Sequence, residues 1–349
     1  MKGSIFNVVG DFFALDIGSS GIRALQLHGG GNNHTLVRYG ATPIDPKISL
    51  SDAPADQAKV TEAVAGLLAD VGIGTKNVVA GLPSGKTFVT IVDMPKLSSQ
   101  EMESTIKYQA DQFIPMSIDE AKLDWSILGD SPSSPDKSEV LLASVSNTFV
   151  EKRLEMLESL GLNVIGLEPD ALAIARSLTT GGAAAQLVVD IGEFATDIIV
   201  IFNGAPRLVR SIPTGAQALV KSVMQSLSVE ENQARQFVYK FGLDNTRLEG
   251  QISRALESTA ELISSEVKKS LQFFTSRYTN TSIGQILTSG SAALLPGFHQ
   301  YISAASGNLP VQPGNSWQHV SYSNSVHEQL MGINHQFAVA VGLALRSGL

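Results

Sequence analysis

The feature that most constrains the fold is an internal echo. Residues 12–26 read FFALDIGSSGIRALQ, and residues 187–202 read LVVDIGEFATDIIVIF. Each copy runs apolar segment, Asp-Ile-Gly, a short polar turn, then alternating apolar residues. The first run reads as a buried strand and the period-two run as a second strand, so each copy is expected to be a β-hairpin. Asp16 and Asp190 lie half a chain length apart, which points to two similarly folded halves. A chain of 349 residues accommodates two domains at roughly 100–200 residues each.

Between the echoes, 87–164 reads as a small α+β insertion: strand, helix over 98–113, two strands, helix over 150–160, and a short strand. Ser98 or Ser99 suits the N-cap of the first helix, and Pro115 ends it. Residues 129–137, GDSPSSPDK, read as a hairpin loop. Residues 181–185 are expected to cross between the halves. The stretch 220–278 is expected to be mostly helical. Its last helix places Leu262, Val267, Leu271, Phe274 and Tyr278 roughly on one face. Residues 285–295, QILTSGSAALL, give a strand, a Gly-Ser turn and a helix start.

Composition removes several classes of function. The net charge of −8 argues against a general nucleic-acid binder, which needs clustered Lys and Arg. The absence of cysteine removes disulfides, thiolate metal sites and thiol nucleophiles, and fits a reducing compartment. No apolar run reaches the 18 or so residues of a membrane helix. Asp11 and Asp16 interrupt the N-terminal apolar stretch, which makes a poor signal peptide. A soluble cytoplasmic protein is expected.

Asp-Ile-Gly at a hairpin suits a nucleotide phosphate. Glycine lets backbone N–H groups approach the oxygens, and small hydroxyl side chains add donors. The carboxylate must act through Mg²⁺ or an ordered water. Gly18, Ser19, Ser20 and Gly21 supply the first loop, and Gly192, Ala195 and Thr196 the second. An ordinary tight turn braced by Asp serves either hairpin alone; the pair favours phosphate binding. Glu168, before Pro169 and a helix-like segment at 170–178, can orient a water for attack on a γ-phosphate, or be a surface Glu near a helix start. Glu266 and Lys269 share a helix face with Phe273, either as an adenine and ribose surface or as a solvated ion pair. Thr288-Ser289-Gly290-Ser291 allows a ribose or base close to the backbone, or is a plain strand–helix turn. The six histidines show no metal spacing. Residues 81–87, GLPSGKT, lack the glycine spacing of a P-loop.

In order, these pieces resemble the actin-like ATPase superfamily. DIGSSGIRA and DIGEFATDI look like its two phosphate motifs, EPDALAIA its connecting segment, SEVKKSL its adenine-contacting helix, and LTSGSAALLPGF its adenosine motif. The block VDMPKLSSQEMESTIKYQADQFIPMSIDEAKLDWSIL, with VLLASVSNTFVEKRLEMLESLGLNVIGLEPDALAIAR, ELISSEVKKSLQFF and FAVAVGLALR, is similar to the type IV pilus assembly protein PilM family, from about Phe13 to Arg346.

The resemblance implies a two-lobed α/β actin-like (ribonuclease-H-like) fold. Residues 1–180 with 331–349 would form the first lobe, carrying the insertion at about 87–164 as in FtsA (an SHS2 domain). Residues 181–330 would form the second, with a helical subdomain at about 216–282. It implies ATP and Mg²⁺ between the lobes. Asp16 and Asp190 would position metal-bound water, with Asp16 and Glu168 the candidates for catalysis. Gly18, Ser19, Ser20, Gly192, Ala195 and Thr196 would hold phosphate, and Glu266, Lys269, Phe273, Gly290 and Ser291 adenosine. Glu193 and Phe194 stand where small residues are usual, so binding is expected, with hydrolysis slow or absent. The implied function is a cytoplasmic adaptor that binds the N-terminal cytoplasmic peptide of the inner-membrane protein PilN beside the insertion. It would be peripheral to the inner membrane through partners that extend to pilus motor or platform proteins. The alternatives are a small-molecule kinase on the same fold, which needs an acceptor site the sequence does not reveal, and an FtsA-like filament former. The latter is disfavoured because the basic amphipathic tail of FtsA has no counterpart after the last apolar run.

Overall fold

A computed structural model describes residues 11–346 except 32, 50, 181 and 183. The crossing expected at 181–185 thus falls partly outside the described residues. In chain order the elements are β1 (Phe13–Ile17), β2 (Gly21–Gly30), β3 (Asn33–Pro43), α1 (Pro46–Ser49), α2 (Pro54–Val71), β4 (Asn77–Leu82), β5 (Thr87–Pro95), α3 (Ser99–Gln109), β6 (Ala121–Asp130), β7 (Lys137–Ser146), α4 (Asn147–Ser159), β8 (Asn163–Pro169) and α5 (Asp170–Leu178). They continue as β9 (Ala185–Ile191), β10 (Thr196–Phe202), β11 (Ala205–Ile212), α6 (Ala216–Leu227), α7 (Glu231–Phe241), α8 (Gln251–Arg277), β12 (Ile283–Gly290), α9 (Phe298–Ala305), β13 (Val311–Pro313), β14 (Val320–Ser321), α10 (His327–Ile333) and α11 (Ala338–Ala344). The chain divides into two compact units, one of 1–83, 149–177 and 315–349, the other of 84–148 and 178–314.

The first unit is built on a mixed sheet of order β14-β3-β2-β1-β4-β8. β1 pairs antiparallel with β2, Asp16 opposite Arg23, and parallel with β4. A sheet centred on β1 and β4 must be covered on both faces, and both strands are almost wholly apolar. On one face Phe13 and Leu15 meet Val60, Val64 and Leu67 of α2. On the other, Ala14 and Val79 meet Val341 and Leu343 of α11, with Trp317 and Phe337.

The second unit holds the sheet β11-β10-β9-β12-β13 and a three-stranded antiparallel sheet β5-β7-β6. The second echo forms the antiparallel pair β9–β10, with Asp197 opposite Asp190. α6, α7 and α8 bury Val220, Val238, Ile263 and Val267 in the core of this unit. In α8, Val267 and Phe274 are buried, but Leu262, expected on the same face, is exposed. The buried line instead runs through Leu256, Ala260, Ile263, Val267, Ser270 and Phe274, steps of three and four that keep one side of a straight helix inward. After β12 the backbone makes a 3-10 turn at Ser291–Leu294 before α9, where the sequence suggests the helix itself.

α3 opens with a capping box: the Ser98 hydroxyl accepts from the Glu101 N–H, and the Glu101 carboxylate accepts from the Ser98 N–H at 2.9 Å. Regular helix ends at Gln109, followed by a 3-10 turn over Ala110–Gln112. The three-stranded part of the insertion groups with the second unit, whereas the sequence reading sets it within the first lobe. The physical reason is a buried charge cluster. Glu139 of β7 accepts from Arg207 of β11 at 2.7 Å and from Nε of Arg277 of α8 at 3.0 Å, as well as from the Tyr278 hydroxyl. Asp93 of β5 is paired to Arg277. Burial pushes Asp93 up, but its bonds from Arg277 and Ser133 outweigh that and hold it below the usual carboxylate range.

Candidate functional site

In the first unit the predicted residues gather at the β1–β2 turn. Gly18 N–H bonds to Gly21 C=O at 3.0 Å, which places Ser19 and Ser20 at the tip. The Ser49 hydroxyl donates to Gly18 C=O at 2.9 Å and fixes the turn from below. Asp16 is buried at the end of β1, and Arg23 Nη1 lies 3.1 Å from its Oδ2. The same nitrogen donates to Gly21 C=O at 3.2 Å, so the guanidinium stands at the turn. Burial raises the Asp16 carboxyl above its ordinary value, opposed by Arg23 and by Arg153 of α4. Arg23 is absent from the sequence reading. Its signal was there: a cation on the alternating strand after the turn, at the register that faces Asp16.

Glu168 ends β8 and is buried, not on the surface. Arg176 pairs with both its oxygens, and Arg346 approaches Oε2 at 3.7 Å. Arg176 also donates to Gly342 C=O at 2.6 Å. The carboxylate thus ties α5 to the C-terminal helix, and its charge is already met by two arginines.

In the second unit the β9–β10 turn closes by Gly192 N–H to Ala195 C=O at 2.9 Å. The carbonyls of Gly192 and Glu193 accept from Ala216 and Gln217 N–H, each at 2.9 Å, so the turn caps the start of α6. Thr196 is fully buried and its hydroxyl donates to Thr214 C=O at 2.6 Å. It braces the turn from within and does not present its hydroxyl outward. Glu193 does not face the turn's open side. Arg235 of α7 pairs with it at 2.7 Å and also reaches Gln217, and the Glu193 bond leads the causes that raise the guanidinium above its ordinary value. The acidic residue that disturbs the motif in sequence is thereby neutralised inside the unit.

Asp190 and Asp197, directly opposed on β9 and β10, share a face of the sheet. Asp197 is buried and its Oδ1 has no hydrogen-bond partner. Burial pushes its carboxyl up, with the Ser84 and Ser211 hydroxyls opposing. Two carboxylates on one face, one with an orphaned oxygen, suit a hydrated divalent cation carried by phosphates. Asp16, committed to Arg23, suits one less. Among the described residues no three His, Asp or Glu side chains gather into a protein-only metal site.

Gly290 ends β12 beside Ile191, with φ of +59°. A Cβ there would overlap the Ile191 carbonyl oxygen and come within 3.1 Å of Asp190 Oδ1. Only glycine fits, and it brings the predicted adenosine turn onto the Asp190 strand. The side chain of Ser291 lies outside the described residues. On α8, Glu266 accepts from Lys269 at 2.6 Å and from Arg210 at 3.4 Å. The Lys269 bond leads the causes that hold Glu266 below its usual range. Phe273 is 45% exposed one turn on, an uncovered ring beside a polar pair. No helix among the described residues is long and apolar enough to cross a membrane.

The family profile described as type IV pilus assembly protein PilM matches residues 14–348. The structure is similar to a chain of a PilM–PilN type IV pilus biogenesis complex, with 24% identity, a TM-score of 0.81, and coverage of 96% of this chain and 97% of that one. It is similar to the ethanolamine utilization protein EutJ of Carboxydothermus hydrogenoformans at 17% identity and a TM-score of 0.56, covering 96% and 89%. MreB5 of Spiroplasma citri bound to AMPPNP follows at 13% identity and a TM-score of 0.53, covering 96% and 95%. These likenesses show the actin-like ATPase fold. With nearly every described residue inside the profile, the chain belongs to the type IV pilus assembly protein PilM family.

Proposed function

We propose that this chain is a cytoplasmic, ATP-binding adaptor of type IV pilus assembly that binds the N-terminal cytoplasmic peptide of a PilN-like inner-membrane protein. The observation that carries the reading is family membership over 14–348, joined to the likeness to a chain of a PilM–PilN complex. In this reading Ser19 and Ser20 and the backbone of Gly192 and Ala195 receive phosphate, with Thr196 bracing the second turn. Asp190 and Asp197 would hold a hydrated Mg²⁺, which would neutralise phosphate charge, and Asp16 positions Arg23. Gly290 and Ser291 admit adenosine, with Glu266, Lys269 and Phe273 along α8 beside it. The pairing of Glu168 with Arg176 and Arg346 supports slow or absent hydrolysis, because both its oxygens are already taken up by guanidinium donors. The protein reaches the inner membrane through partners, PilN first and pilus motor or platform proteins beyond it, without inserting.

Calorimetric titration of the purified, nucleotide-free protein with ATP and Mg²⁺, followed by an ADP assay on the same sample, tests the nucleotide half of this proposal. Saturable one-to-one binding with little ADP is expected. No binding by folded protein would overturn it, and rapid ADP release that depends on an added small-molecule hydroxyl would replace it with the kinase reading.

A further inference from the structure

The β9–β10 turn carries an acid, Glu193, and the two helices that follow are arranged around it. The Gly192 and Glu193 carbonyls are committed to the N–H groups of Ala216 and Gln217 at the start of α6. In a planar trans peptide the C=O of one residue and the N–H of the next point in opposite directions. The Glu193 and Phe194 N–H groups are therefore directed away from α6. Gly215 lets the turn sit this close: a Cβ there would come within 2.6 Å of the Gly192 carbonyl oxygen and 2.7 Å of the Glu193 one. The Glu193 side chain is buried, and Arg235 of α7 holds it with both terminal nitrogens, Nη1 to Oε2 at 3.3 Å and Nη2 to Oε1 at 2.7 Å. The same Nη2 donates to Gln217 Oε1 at 2.7 Å and to Glu231 Oε1 at 3.4 Å, and Gln217 Nε2 donates to that Glu231 oxygen at 3.3 Å. Gln217 thus grips the turn twice, directly by its backbone N–H and through Arg235 by its side chain.

Packing alone does not account for this arrangement. A buried ion pair seldom stabilises more than apolar side chains of the same volume. An acid in a turn that is to meet phosphate repels it unless its charge is met locally. Arginine meets it here with a planar fork that fixes direction as well as charge. We infer that Arg235 is a positioning residue of the proposed nucleotide site: it masks Glu193 and holds it on the α7 side, so that the turn offers phosphate its backbone N–H groups and no uncompensated carboxylate. The inference rests on the nucleotide-binding reading given above. Arg235 does not touch the ligand; it acts through Glu193 and Gln217.

The test is calorimetric titration with ATP and Mg²⁺ of the parent, Arg235→Met, Glu193→Gln and the Glu193→Gln/Arg235→Met double variant, each checked for folding by circular dichroism and melting. Arg235→Met keeps an apolar stem and leaves the Glu193 charge unmet beside the turn. It is expected to lose at least about fivefold in ATP affinity, as like charges brought together do. Glu193→Gln still accepts from Arg235 but carries no charge, and is expected to bind ATP at least as tightly as the parent. The double variant removes both partners and is expected to return to within about twofold of the parent. ATP affinity in Arg235→Met equal to the parent's would overturn the inference. So would a double variant as weak as Arg235→Met, because a purely structural loss persists when the acid is gone. If Arg235→Met does not fold, Glu193→Gln and the double variant carry the comparison, and a fivefold loss in either overturns the inference. A parent that does not bind ATP overturns the nucleotide reading and this inference together, whereas a binding parent with an indifferent Arg235→Met variant overturns this inference alone.

Discussion

Asp16 faces Arg23 across the first hairpin, and Asp190 faces Asp197 across the second. The two echoes thus share a backbone pattern and differ in charge, one acid–base and the other acid–acid. Because burial raises Asp197, the folded state binds its proton more tightly than the unfolded chain. The stability this proton confers is present at acid pH and is lost as pH rises through the folded value. Asp197→Asn removes that loss. In the nucleotide-free protein at pH 7 it should raise the melting temperature by about 2–4 °C, with the gap closing toward pH 4. It should also weaken ATP binding more in Mg²⁺ than in EDTA. A lower melting temperature at pH 7 would show that the carboxylate is better compensated than its orphaned oxygen indicates. Gly290→Ala forces a side chain into a positive-φ position against Ile191, at a cost of about 1–3 kcal/mol, read by urea denaturation. A variant as stable as the parent would mean that β12 can shift away from β9. Of the candidate site residues, the turn glycines with Asp16 and Asp190 could be named from sequence because each Asp lies within a few positions of its own glycines. Arg23 and Asp197 needed the hairpin register, and the commitment of Thr196 to Thr214 and of Glu193 to Arg235 needed elements distant in the chain.

Elements whose signals are local were readable, and those whose partners are remote were not. The hairpins, the capped α3, and β8 leading into α5 follow from adjacent residues. By contrast α2 and β4 drew no reading, although α2 buries Val60, Val64 and Leu67 and β4 is almost wholly buried. β4 is a short apolar run without a hairpin partner, and only its parallel pairing with β1 and β8 declares it a strand. The attachment of the three-stranded sheet was hidden for the same reason, since Glu139 meets Arg207 and Arg277 across long sequence separations. Glu139→Gln leaves the buried Arg207 guanidinium without its carboxylate and the half-buried Arg277 with Asp93 alone, and should cost about 3–5 kcal/mol in chemical denaturation. Amide exchange should accelerate first in β5 and β7. A loss under about 1 kcal/mol would mean that the apolar contacts of Val92, Met94, Val140 and Leu142 hold that sheet without the charges.

At the scale of the whole molecule, one copy of the echo lies in each of the two compact units, and family membership over 14–348 gives their context. The fold alone admits many activities; what separates an adaptor from its enzymatic relatives is whether it grips a partner. Binding of PilN is tested by fluorescence anisotropy of a labelled synthetic peptide of PilN's N-terminal cytoplasmic segment, titrated with the purified protein in Mg²⁺ and ATP. Saturable one-to-one binding is expected, competed away by an unlabelled copy and not by a scrambled peptide. No binding by folded, nucleotide-saturated protein, or equal binding of the scrambled peptide, would contradict it.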